Sequence, residues 1–407
     1  MGYTRSALAG FSWQTVLKLL SNAIGVVKLA ALARLLTPDQ FGIFSLIAIA
    51  IGLTESFTET GVNVTILQSS KPTKFFINAA WVIAITRGLG IALLMLIVGQ
   101  GMQRLFNQPG LFVLIGVAAL IPLIKGFINP AIIGLQKDLR FSADMLYRFS
   151  LVVVDAIAAV ACVWVLRSVT GWVLGMIITA AFEVVISFIF FNLRPRLKFV
   201  WAEAQPIFKN ARGLSIGSLL SYLNENADNL LIGRLLGTYN LGLYQPTYGL
   251  CHEANYELAK SANHGTMPIY SRMLEEKGRL KRAFTRASLT TLGLGLIISI
   301  PLLLFPTQII TLIFGDQWSG AIELVPWLVA AGWLQAVIMV VYSLFFAKNY
   351  LKIMNFHALV TFLAMAGGIW FFASRYGLIG AGMGLILSRL IGLPILLFGV
   401  KKAFSHD

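Results

Sequence analysis

The stretch Leu20–Phe44, LSNAIGVVKLAALARLLTPDQFGIF, recurs two hundred residues later as Leu220–Tyr244, LSYLNENADNLLIGRLLGTYNLGLY. Laid one on the other without a gap, Arg34-Leu35-Leu36 falls on Arg234-Leu235-Leu236, and Gly42-Ile43-Phe44 on Gly242-Leu243-Tyr244. Each copy is a long, mostly apolar run, a short break flanked by an arginine, and a second apolar run. That is the pattern of a helical hairpin across a membrane. A fixed offset near half the chain length implies two homologous halves, as in transporters built from internal repeats. The halves are expected at residues 1–200 and 201–407.

Composition agrees. Of 407 residues 57% are hydrophobic and only 12% charged, more apolar surface than a soluble core can hide. The net charge of +15 would suggest nucleic acid in a soluble protein. In a membrane protein it reads instead as lysine and arginine concentrated in cytoplasmic loops, and no nucleic-acid partner is expected. Cys162 and Cys251 both fall in apolar runs, so neither a disulfide nor a thiolate metal site is indicated. Arg5 leads straight into a long segment carrying Lys18 and Lys28 without a small-residue cleavage pattern, so a cleaved signal is not expected.

Apolar runs of about twenty residues place spans near 9–35, 41–67, 75–99, 110–134, 146–166 and 172–191. A second set follows near 213–236, 240–262, 288–313, 321–346, 354–373 and 378–400. The fold expected is therefore all-α and polytopic, about twelve transmembrane helices in two six-helix lobes forming a V around a central cavity. The first, second, seventh and eighth spans carry several charges and are identified through the repeat. Basic residues gather in alternate loops, so both termini are expected to be cytoplasmic, and an even number of spans per half makes the repeats parallel. In the cytoplasmic segment 264–287, Leu280, Ala283, Phe284 and Ala287 recur at helical spacing beside Arg279, Lys281, Arg282 and Arg286. Such a helix could lie on the inner leaflet and meet anionic lipid, or be a plain basic loop. Prolines within the spans, Pro122, Pro130 and Pro301 among them, invite kinks.

Charged side chains at bilayer depth cost about 2.5 to 3.5 kcal/mol on insertion scales and usually face an internal cavity. In the first span Gln14, Lys18, Ser21, Gly25 and Lys28 form one helical stripe, answered in the second half by Leu214, Ser218, Ser221, Glu225 and Asp228. The stripe is duplicated while its charge inverts, which suits two helices lining an aqueous cavity. Glu55 and Glu59 share a face of the second span, Arg87 lies in the third, Lys125 in the fourth, Asp155 in the fifth and Glu183 in the sixth. Mutual ion pairing for insertion is the alternative use of any of these charges. The four histidines show no ligand spacing, and there is no phosphate-cradling glycine loop or nucleophile elbow. Neither an enzyme, a bound cofactor nor a structural metal is expected.

The segments RLLTPDQFGIFSL (34–46), IGRLLGTYNLGLYQPTY (232–248), GLQKDLRFSADML (134–146), MPIYSRM (267–273) and LIFGDQW (312–318) resemble the Wzx-type flippases of the polysaccharide transporter family. That family lies in the multidrug/oligosaccharidyl-lipid/polysaccharide superfamily, and the resemblance runs over essentially the whole chain. It implies a multi-pass protein of the bacterial inner membrane that moves undecaprenyl-pyrophosphate-linked oligosaccharide from the cytoplasmic to the periplasmic leaflet. A polysaccharide polymerase and a chain-length regulator would be its partners. Lys18 and Lys28, with Arg87 and Lys125, are then candidates for the pyrophosphate, because phosphate favours ammonium and guanidinium groups. Glu225 with Asp228, and Glu55 with Glu59, are candidates for coupling to protons or sodium. Relatives commonly carry two more carboxyl-terminal helices, a departure expected to separate this chain from the fourteen-helix lipid II flippase branch. A multidrug exporter of organic cations shares the fold and would use Glu55 and Glu59; a non-transporting scaffold is the other alternative.

Overall fold

The computed structural model describes residues 3–58 and 61–405, and their side chains other than those of 3–16, 19, 209–216, 253, 261–265 and 277. Every regular element among them is helical: α1 Tyr3–Leu35, α2 Pro38–Phe57, α3 Val62–Gln68, α4 Thr73–Phe106, α5 Leu111–Ala118, α6 Leu120–Lys125, α7 Ile133–Lys137, α8 Phe141–Leu166 and α9 Val169–Phe190. There follow α10 Trp201–Tyr248, α11 Ala254–Arg272, α12 Lys277–Leu304, α13 Pro306–Ile313, α14 Val325–Ala347 and α15 Leu351–Phe404, with 3₁₀ turns at Pro130–Ile132 and Asp316–Leu324 and a π turn at Gly249–Glu253. Seven of the described helices are long and apolar enough to cross a membrane, and the bent run Leu111–Lys137 makes an eighth. This is a multi-pass membrane protein.

Two of the long helices, α10 and α15, are each two helices joined at a glycine. Gly237 interrupts α10 with φ 83°, and Gly377 interrupts α15 with φ 60°, a left-handed region that glycine enters without steric cost. Asp228 and Tyr244 lie sixteen residues apart across Gly237, which a continuous helix would separate by about 24 Å. Their side chains are nevertheless hydrogen-bonded at 2.6 Å, so the chain reverses there. The same reasoning applies to α15, where a Cβ on Gly368 would lie 3.1 Å from the Gly384 Cα. The repeat thus turns at equivalent places by different chemistry. In the first copy Thr37 caps α2 in a capping box with Gln40, with Pro38 at the first helical position; in the second, Gly237 makes the turn.

Chain contacts divide the molecule into two compact units, Met1–Asn226 and Ala227–Asp407, so α10 passes from one to the other. In the first unit α8 packs along α1 and α9, and α4 meets α2, α5 and α6. Glycines bring backbones together, as is usual where helices associate in lipid. A Cβ on Gly175 of α9 would lie 2.5 Å from the Ala159 Cα of α8, and one on Gly88 of α4 would lie 2.5 Å from the Pro122 carbonyl oxygen of α6. In the second unit α14 contacts α11, α12 and α15.

Three details differ from the sequence expectation. The span near 41–67 is broken between α2 and α3, with Gly61 left-handed at φ 62°. The span near 110–134 is broken after Lys125 and bends by 64°. The basic segment around Leu280 is the start of α12, and its apolar face does not meet a leaflet. Leu280 is fully buried in a cluster with Tyr270, Leu344 and Ala403, because those apolar positions find a closer partner within the unit.

Candidate functional site

Helix breaks inside a membrane protein expose backbone groups that hydrocarbon cannot satisfy, so they persist only where protein or a polar cavity meets them. Here both breaks of the first unit border one cavity of about 590 Å³. Its wall includes Glu55 and Ser56 at the end of α2, Gly61 to Val64 at the start of α3, Arg87 on α4, Lys125 on α6, Gln136 on α7, Tyr147 and Arg148 on α8 and Glu183 on α9. Asn129 secures the second break. It is fully buried, its side chain accepts from the Ala131 amide at 3.0 Å and donates to the Leu193 carbonyl at 2.9 Å, and its own amide donates to Ser187 Oγ at 3.0 Å.

Arg87 secures the first. Its Nε donates to the Thr58 carbonyl at 2.8 Å and an Nη to the Glu55 carbonyl at 3.0 Å, satisfying the last carbonyls of α2 where the helix dipole favours a cation. Lys125, the last residue of α6, is exposed and lines the cavity. Arg148 Nε meets the nearly buried carboxylate of Asp144 at 3.0 Å, one turn back on α8. Among the described residues the cavity wall therefore carries three cations, Arg87, Lys125 and Arg148, against two carboxylates, Glu55 and Glu183. Tyr147 is 1% exposed, and its hydroxyl has no hydrogen-bond partner although the residue lines the cavity. A buried hydroxyl in that position suits a ligand or water as partner.

Arg87 and Lys125, expected to meet the pyrophosphate, both line this cavity, as does Glu55, expected to couple to an ion; Glu59 lies outside the described residues. Tyr147, Arg148 and Gln136 were not singled out from the sequence. The signal was there in the i,i+4 pair Asp144–Arg148, but the span was set to begin at 146, whereas α8 begins at Phe141 and carries the pair inside it.

The other candidates lie elsewhere. Lys18 is exposed on α1. Lys28 makes an ion pair with Asp155 of α8 at 2.5 Å, with its ammonium 6.0 Å from the Trp172 ring centre. Glu225 is exposed, while Asp228 is buried, accepting from Tyr244 Oη at 2.6 Å and from the Asn229 amide at 2.8 Å. Glu225 and Asp228, expected to couple to protons or sodium as a pair, thus stand in different surroundings, one exposed and one buried. Removal of one partner leaves a largely enclosed charge uncompensated. Lys28→Gln is accordingly expected to destabilise the protein by about 3 kcal/mol, with Lys28→Gln/Asp155→Asn restoring it, measured by thermal unfolding in detergent. A stable, well-inserted Lys28→Gln that has lost transport would show instead that the lysine serves the substrate.

Comparison with known proteins places this architecture. Residues 31–323, more than half of the chain, match the sequence model of a family described as polysaccharide biosynthesis protein. The chain is 23% identical over 412 residues to the lipopolysaccharide biosynthesis protein WzxC of Escherichia coli (strain K12), covering 99% of this chain and 82% of that one. It is 20% identical over 353 residues to the teichuronic acid biosynthesis protein TuaB of Bacillus subtilis (strain 168), covering 85% and 72%. Among solved structures, an inward-facing multidrug resistance MATE family transporter of the MOP superfamily superposes with a TM-score of 0.70 at 14% identity over 94% of each chain. The lipid II flippase MurJ in an inward closed conformation superposes with a TM-score of 0.67 at 14% identity over 96% of this chain and 88% of that one. At such identities the likeness is one of fold. The fold is the one shared by these two solved structures, and the chain belongs to the polysaccharide biosynthesis protein family.

Proposed function

We propose that the protein is a flippase that carries an undecaprenyl-pyrophosphate-linked oligosaccharide from the cytoplasmic to the periplasmic leaflet of a bacterial inner membrane, both termini lying in the cytoplasm. The observation that carries this reading is the cavity at the two helix breaks, where, among the described residues, Arg87, Lys125 and Arg148 outnumber Glu55 and Glu183. A diphosphate diester holds two negative charges that hydrocarbon rejects, and ammonium and guanidinium groups recognise it. In this reading the headgroup enters the polar space while the prenyl tail stays in lipid. Lys125 and Arg148 are the cations that meet the diphosphate, with Arg87 holding the broken end of α2 in place beside them. Lys18 offers a further contact on α1, and Lys28 would join only by leaving Asp155. The protein acts by transport and not by catalysis, with a polymerase and chain-length regulator taking up the delivered unit.

Reconstitution in proteoliposomes tests this. A lipid-linked sugar in the outer leaflet is expected to become protected from a membrane-impermeant enzyme or periodate only when the protein is present. Loss of the protein in cells should leave the same lipid on the cytoplasmic face. Glu55 in the wall favours one rival, an exporter of organic cations, in which case a lipophilic cation would be moved and the lipid-linked sugar would not.

A further inference from the structure

We propose that Glu183 is the proton-exchanging group of this cavity, and that an anionic headgroup and one proton are bound together: the anion takes over Lys125 and Arg148, and the displaced carboxylate is neutralised. This rests on the reading of the cavity as a diphosphate site and adds what that site does with protons.

Glu183 stands on α9 and faces the cavity with Lys125 from α6 and Tyr147 and Arg148 from α8. Lys125 and Arg148 are the two cations that act on it electrostatically. The remaining ionisable groups around it among the described residues are Glu55 on α2, Arg87 on α4 and Asp144 on α8. Arg87 is engaged with the Glu55 and Thr58 carbonyls, and Arg148 Nε with Asp144. Lys125 and Arg148 thus share the cavity wall with Glu183, and Arg148 also holds Asp144.

A carboxylate away from bulk water stays ionised only while opposite charge is near. A diphosphate diester brings two further negative charges to the same two cations. Its acids are too strong to take up a proton near neutrality, so relief falls to the weakest acid present. Asp144 keeps its contact with Arg148 Nε, and Glu55 lies on α2, whose last carbonyls Arg87 holds, so among the described carboxylates the change falls to Glu183. The proton comes from the water to which the cavity is open and leaves when the anion does. Loading then adds one net negative charge to the cavity instead of the two that the diester brings. The Tyr147 hydroxyl, which has no hydrogen-bond partner among the described residues, supplies a donor to the incoming oxygen.

The experiment uses the full chain in nanodiscs and, as probe, citronellyl-diphospho-N-acetylglucosamine, whose two phosphodiester acids stay ionised throughout the range used. Calorimetry in buffers of different ionisation enthalpy is expected to show about one proton taken up per probe bound near neutral pH, with affinity falling by up to roughly tenfold per pH unit as pH rises. Glu183→Gln is expected to bind with no proton uptake, with an affinity that does not change between about pH 6 and about pH 8 and matches the wild-type value at the lower pH. A Glu183→Gln variant that binds with the wild-type pH dependence overturns the inference and leaves the diphosphate reading standing. Failure of the wild-type protein to bind the probe at any pH, together with unimpaired transport by Lys125→Gln, overturns the reading beneath it. Should Glu183→Gln not fold, infrared difference spectra of the wild-type protein with and without probe decide the matter. A new protonated-carboxyl band on binding is expected, and its absence overturns the proposal.

Discussion

Lys125→Gln is expected to insert normally and to lower transport of a lipid-linked sugar in proteoliposomes by roughly 10- to 100-fold. A hydrogen bond to a charged group contributes about 1.5 to 3 kcal/mol, and each 1.4 kcal/mol is about a factor of ten in a rate or affinity. The lower part of the range applies because Lys125 is exposed and water screens it. The side chain ends α6 at the helix break and no core packing depends on it, so folding should survive the change. Lys125→Arg keeps the charge and is expected to retain most activity. Equal loss in the Gln and Arg variants would mean that shape, not charge, is what the position supplies. Undiminished transport by Lys125→Gln would remove it from the site.

Gly88→Ala is expected to be among the most damaging single-methyl changes in the first unit. The added Cβ would sit 2.5 Å from the Pro122 carbonyl oxygen, a backbone atom that no rotamer change can move aside. The helices α4 and α6 must then part, and they carry Arg87 and Lys125, the neighbours across the cavity. Overpacking of this kind costs about 1 to 3 kcal/mol, against which the better helix propensity of alanine returns about 1. A lower thermal midpoint is expected together with at least a tenfold loss of transport. Gly90→Ala and Gly101→Ala on the same helix are the controls. A Cβ at either meets nothing within 4 Å, so both should be neutral or slightly stabilising. Equal behaviour of all three would show that the close approach at Gly88 is not what spaces the two cations.

The helical passes were legible in the chain because a membrane imposes a length and a polarity that hydropathy reports directly. Where hydropathy was weak, at the charged first and seventh spans, the repeat supplied the answer. Thr37 and Gly237 stand at the same place in it and turn the chain by a cap with proline in one copy and by a positive φ in the other. The breaks inside the second and fourth spans escaped that reading, since apolar residues continue on both sides of Gly61 and of Asn129 and hydropathy averages across them.

Residue chemistry was also legible: Arg87, Lys125, Glu55 and Glu183 were recognisable as charges that must avoid lipid. Which charge meets which was not. Lys28 finds Asp155, 127 residues away, and Arg87 reaches two main-chain carbonyls at the end of α2. Glu225 and Asp228 share a helix and part company. Such outcomes depend on how each helix is rotated about its axis and how closely glycines let its neighbours approach. Composition and periodicity along one chain fix the polar face of a helix, but only the packed helices decide what that face sees.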